Sequence, residues 1–187
     1  MLSNLSDRFY NWTKGWLIFA LFVLDGFVFS GYLFPLVQTK MANGQAGVQM
    51  LDLMFFATPA QTFGMIEKYG EAGRALYRTS LLTVDIIYPI VHLLFFGLLI
   101  SWLYQRGFAP NSAIRKFNVL PLGAWLFDLL ENVGIVALIT IFPSQPAALA
   151  TVVMVFTTLK WMFAAAGILL ILIGFVMALK NGFKKQA

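Results

Sequence analysis

Apolar residues in this chain do not alternate with polar ones. They gather in four long runs, at about 15–37, 76–104, 119–142 and 148–179. Each run reaches the roughly 20 residues that a helix needs to cross the hydrocarbon core of a bilayer. The pattern predicts an all-α fold, an integral membrane four-helix bundle that forms a single domain over 1–187. The fourth run is longer than a crossing requires and predicts a tilted helix.

The connection between the first two runs is not a plain linker. It predicts a short interfacial helical segment at about 47–69. Gly47 to Ala57 reads GVQMLDLMFFA, strongly apolar with one acid in it. Thr58 then suits an N-cap, with Pro59 at the first helical position. A short helix from Pro59 to Tyr69 follows, and Gly70 suits its C-terminal stop. Such a segment either lies in the interface or folds over the mouth of the bundle.

Composition agrees with the pattern. Hydrophobic residues make up 60% of the chain and charged residues 11%, against roughly 45–50% and 25% in soluble domains. There is no cysteine, which removes disulfides, thiolate metal sites and cysteine nucleophiles. The net charge of +5 is spread along the flanks of the runs with no basic stripe among stacking aromatics, so nucleic acid is not an expected partner.

The bases also predict a direction. Arg8 and Lys14, then Arg106, Arg115 and Lys116, then Lys180, Lys184 and Lys185 flank one side of the four runs. The other side has Lys40, Lys68, Arg74 and Arg78, diluted by Asp52, Glu67 and Glu71. By the positive-inside rule both termini face the cytoplasm of an inner or plasma membrane. Asp25 interrupts the first run and no small-x-small cleavage site follows closely, so that run predicts a retained span. Trp12, Trp16, Trp102, Tyr104 and Trp125 fall near the expected cytoplasmic interface, as aromatic anchors do. The Lys184-Lys185 tail is short of the basic cluster that binds anionic lipid.

The polar positions inside the runs carry whatever chemistry there is. Asp25, Asp85, Asp128 and Glu131, half of the eight acids, fall there with Lys160 and the single histidine, His92. A charge at the bilayer centre costs about 3 kcal/mol on insertion scales, so these groups must be partnered or face water or a ligand. Their spacing puts them on shared helical faces. Asp128, Glu131 and Asn132 lie at i, i+3 and i+4. Asp85, Tyr88 and His92 form a second stripe, which Arg78 extends, and Pro89 interrupts that helix and frees a carbonyl. Asp25 shares a face with Tyr32. Lys160 shares one with Ala164, Gly167 and Gly174, small residues that let helices approach.

Several readings of this constellation are open. In the bland one, Lys160 pairs with Glu131 or Asp128 and the remaining acids are protonated. Against it, four acids face one lysine, and surplus carboxyls suggest a cation, a proton path or an amine-bearing ligand. The expected function is therefore binding or translocation of a small cationic or protonatable ligand, or of protons. Asp25, Asp128 and Glu131 would supply negative charge, Lys160 an internal counter-ion, and Asp85, with Tyr88 and His92, the outer approach. The alternatives are a membrane-embedded acid–base enzyme acting on a lipid-like substrate through Asp128, Glu131 or His92, and a non-catalytic accessory subunit. No cofactor is expected. No His-x3-His or Glu-x2-His spacing occurs, so no zinc or di-iron site is expected. The partners expected are the lipid bilayer, a small-molecule or lipid ligand, and a second copy of the chain or a larger membrane complex.

Overall fold

Four helical segments, Gly15–Ala42, Val84–Gly107, Ala113–Ile141 and Ala147–Gly182, are long and apolar enough to cross a membrane. They belong to a computed structural model that describes residues 2–184, all-helical and without a strand among those residues. Lys185, counted above among the C-terminal bases, lies outside the described residues.

The helices are α1 (Leu2–Trp12), α2 (Gly15–Phe22), α3 (Phe34–Ala42), α4 (Pro59–Lys68), α5 (Gly70–Leu81), α6 (Val84–Gly107), α7 (Pro121–Ile141) and α8 (Ala147–Lys184). Helices α2 and α3 are joined without a break by a π-helical stretch, Val23–Leu33, and together form the first span. Pro35 has no N–H for the usual i−4 bond and its ring crowds that carbonyl; the wider i→i+5 winding lies just before it. This winding takes more residues per turn than an α-helix, so the expected shared face of Asp25 and Tyr32 does not form. Asp25 is buried, whereas Tyr32 is exposed.

The second run is also divided. Its first residues belong to α5, and the chain breaks at Leu82 and Thr83 before α6 begins. Hydroxyl side chains compete with helical backbone bonds here: Thr83 Oγ1 donates to the Thr79 carbonyl. Arg78 therefore stands on a different helix from Asp85, exposed and off the expected stripe. Helix α1, which the hydrophobic runs do not announce, packs Phe9 and Ser6 inward against α6 and the 3-10 turn Ala113–Val119.

Helices α6, α7 and α8 pack against one another, while the first span rests on α6 and, through α3, on α5. Among the described residues the first span has no extended packing against α7 or α8. We call the end that carries α4 and α5 distal, and the end that carries α1 terminal. In the terminal half α8 comes close to α6 because Gly167 and Gly174 carry no side chain. A Cβ on Gly174 would lie 2.7 Å from Tyr104 Cε1, and one on Gly167 would lie 3.1 Å from Phe96 Cδ1.

At the distal end the start of α4 follows the sequence. Thr58 and Gln61 form a reciprocal capping box, Pro59 opens the helix, and Gly70 takes φ +61 after the C-cap Tyr69. The preceding segment takes the second of the two expected placements and folds over the mouth of the bundle. It folds inward, burying Met50 and Leu51 around a single 3-10 turn, Leu51–Leu53. Irregular backbone is tolerated at membrane depth only when protein groups satisfy it. Gln38 Nε2 donates to the Val48 carbonyl at 2.7 Å, and its Oε1 accepts from the Met50 N–H at 3.1 Å. Tyr69 donates to the Gln49 carbonyl, and the Leu51 N–H donates to the Tyr77 hydroxyl. Trp161 Nε1 donates to the Asp52 carbonyl at 2.9 Å. The Asp52 N–H also donates to the Tyr77 hydroxyl at 3.5 Å, so the segment is a plug held by six side-chain bonds to its backbone.

Candidate functional site

Beneath this plug is a half-open cavity of about 600 Å³ that all four spans and the plug line. Its wall is mostly apolar and aromatic, with Phe34, Tyr88, Trp125 and Trp161 in it. Its polar members are Asp52, Asp85, His92, Asp128 and Lys160, together with Ser30, Gln38 and Gln49.

Lys160 organises one side. It is buried on α8 and forms ion pairs with Glu131 and, at 3.2 Å, with Asp128 Oδ1. Glu131 is fully buried, and its Oε1 accepts from Thr157 at 2.6 Å. Asp128 Oδ2 accepts from Asn132 Nδ2 at 3.3 Å, which is the i, i+4 contact that their spacing predicts. Asp52 of the plug approaches Lys160 at 4.0 Å. Its other carboxylate oxygen accepts from the Tyr77 hydroxyl at 2.7 Å. Burial and the adjacent Asp52 carboxylate push the Tyr77 pKa well above the usual phenol value. Tyr77 therefore stays a hydrogen-bond donor to Asp52 while accepting from the Leu51 N–H.

Asp85 stands apart from this network. It is 6% exposed, lines the cavity, and its Oδ2 has no hydrogen-bond partner. Its backbone is better served. Pro89, four residues on, cannot donate to the Asp85 carbonyl, and Asn132 Nδ2 of α7 fills that place at 3.1 Å. The predicted polar stripe of α7 thus splices onto the predicted break in α6. Trp125 Nε1 is a second buried polar atom without a partner.

Asp25 goes elsewhere. It was expected to join Asp128 and Glu131, but its Oδ1 lies 3.0 Å from His92 Nδ1, and it is not part of the cavity wall. The π-helical stretch turns Asp25 toward α6. His92 stacks on Phe96 and approaches the Tyr88 hydroxyl at 3.5 Å. His92 and Tyr88 face the same cavity as Asp85.

Sequence reasoning missed Asp52, Tyr77 and Trp161. Asp52 had a visible signal as the lone acid in GVQMLDLMFFA; nothing in the spacing announced the other two. Trp125 was expected at an interface and instead walls the cavity, and Tyr104 is buried against α8. Glu71 and Arg74, at i and i+3 on α5, form no ion pair among the described residues. Arg74 donates to the Ile66 carbonyl and stacks over the Phe142 ring. No group of three His, Cys, Asp or Glu among the described residues is arranged to hold a metal ion.

No protein-family model, curated protein or solved structure matches this chain. The class is set by the fold alone: an all-α bundle of four membrane-length helices around a buried charge cluster.

Proposed function

We propose that the cavity binds a small cationic or protonatable organic molecule within the membrane. The observation that carries this is Asp85, a buried carboxyl without a partner on the wall of a large cavity. The charge count agrees with it. Asp52, Asp128 and Glu131 share the single ammonium of Lys160, and Asp85 is additional. A buried carboxylate is stable when a counter-charge joins it, and aromatic faces such as those of Tyr88, Trp125 and Trp161 attract the same kind of ligand. The volume suits a drug-sized molecule, since small-molecule sites span roughly 300–1,000 Å³.

The close glycine contacts of the terminal half leave the cavity a dead end, which favours binding over open conduction. Translocation would need that half to separate. The positive-inside balance supports an orientation with the distal end outside and both termini in the cytoplasm of a cell membrane. The apolar wall also suits a second reading, a membrane-embedded enzyme acting on a lipid-like substrate with Asp128 and His92 as acid and base.

The test is binding of an ammonium panel (tetramethylammonium, tetrabutylammonium and dodecyltrimethylammonium) to the purified protein in nanodiscs of zwitterionic lipid. At least one member is expected to bind at one site. Asp85→Asn is expected to weaken it at least about tenfold, the equivalent of about 1.4 kcal/mol of lost coulombic attraction. No binding across the panel, or binding indifferent to Asp85→Asn, contradicts the proposal. Uptake of the bound member into liposomes separates translocation from binding.

A further inference from the structure

Resting on the cation reading above, we infer that the ligand is amphiphilic, an ammonium head on an apolar tail, and that it enters sideways from the bilayer. The mouth of the cavity carries the argument. Ser30 and Pro35 of the first span and Leu53 of the plug line the cavity and are also exposed. Ser30 is twelve residues from the distal end of the first span at Ala42. At about 1.5 Å per residue the rim descends about 18 Å along that helix, about 10 Å of it within the apolar run that ends near Val37, and so lies below the expected water interface. The gap has a simple cause. The first span packs on α6 and α5, but not along α7 or α8, whose Trp125, Asp128, Lys160 and Trp161 form the opposite wall.

A slot at this depth faces acyl chains, and a solute reaches it by first dissolving in the bilayer. A small hydrophilic ion does so poorly; an amphiphile does so readily. The division of the cavity fits such a molecule. The unpartnered Asp85 is the second residue of α6 and offers a seat for a cationic head. Phe34, Trp125 and Trp161 offer apolar surface toward the slot for a tail.

The same nanodisc panel tests this, now with attention to tail and route. Referenced to free aqueous concentration, dodecyltrimethylammonium is expected to bind at least about a hundredfold more tightly than tetramethylammonium, because its methylenes leave water. Bilayer partition alone also concentrates it, so Asp85→Asn in identical nanodiscs provides the baseline for the site itself. For the route, Ser30→Trp and Leu53→Trp each narrow the rim from opposite sides. Either variant is expected to slow association of dodecyltrimethylammonium about tenfold or more. Using both keeps the test intact if one variant fails to fold. Equal affinity for the two cations, or unchanged association in a folded rim variant, overturns the inference while leaving the cation site standing. No cation binding at all removes the site and the inference together.

Discussion

The two halves of the bundle bury polar groups of different charge, although each leaves some without a partner, Tyr104 Oη and Arg115 Nε in the terminal half as well as Asp85 Oδ2 in the distal half. In the terminal half Ser6, Ser101 and Asn118 are buried and uncharged. Ser6 Oγ donates to Asn118 Oδ1 at 2.7 Å, and Asn118 Nδ2 donates to the Ser6 carbonyl and to Ser101 Oγ. Ser101 Oγ donates onward to the Gly97 carbonyl at 2.7 Å. This network is complete, and it ties α1, the 3-10 turn and α6 together. In the distal half charged groups are buried beside uncharged ones, acids outnumber bases, and one carboxyl is left over beside a cavity. A complete network specifies packing. A surplus of like charge next to empty space opposes packing and points to something that is not part of the chain.

The sharpest way to break this comparison is to remove the one distal base. Lys160→Met leaves fully buried Glu131 without its ammonium, and the expected loss is about 3–5 kcal/mol of unfolding free energy. Denaturant unfolding in detergent micelles measures it, and Glu131→Gln in the same background should recover part of the loss. A stability equal to wild type would mean that Lys160 is not paired in the core. The matching cut in the terminal half is smaller. Asn118→Ala strips partners from Ser6 and Ser101 and is expected to cost about 1–3 kcal/mol, the penalty for leaving buried polar groups unsatisfied. It should leave the cavity and any cation binding unchanged, which the same unfolding and binding assays check.

Much of the fold was legible because membrane-length apolar runs have few alternatives. The Thr58–Pro59 helix start, the Gly70 stop and the Gly167–Gly174 contact face were readable too, since each rests on local backbone geometry. The shared face of Asp128, Glu131 and Asn132 followed from helical spacing, because α7 is a regular α-helix there, and pairing with Lys160 was one of the readings left open. Spacing failed where helices are irregular. The π-helical stretch redirected Asp25 to His92, and the break at Leu82 and Thr83 removed Arg78 from the stripe of Asp85. The plug's inward anchoring was the largest omission. Its backbone is held by Gln38, Tyr69, Tyr77 and Trp161, residues scattered along the sequence that no local pattern links to Asp52.

The central claim is that the fold does not use the side chain of Asp85. The unfolding midpoint of Asp85→Asn tests this directly. The amide keeps the shape and removes an unpartnered buried carboxyl, so the variant should unfold at the wild-type midpoint or above it. A midpoint lowered as far as that of Asn118→Ala would show that the Asp85 carboxylate is a structural partner, and would contradict its assignment as a seat held open for a ligand.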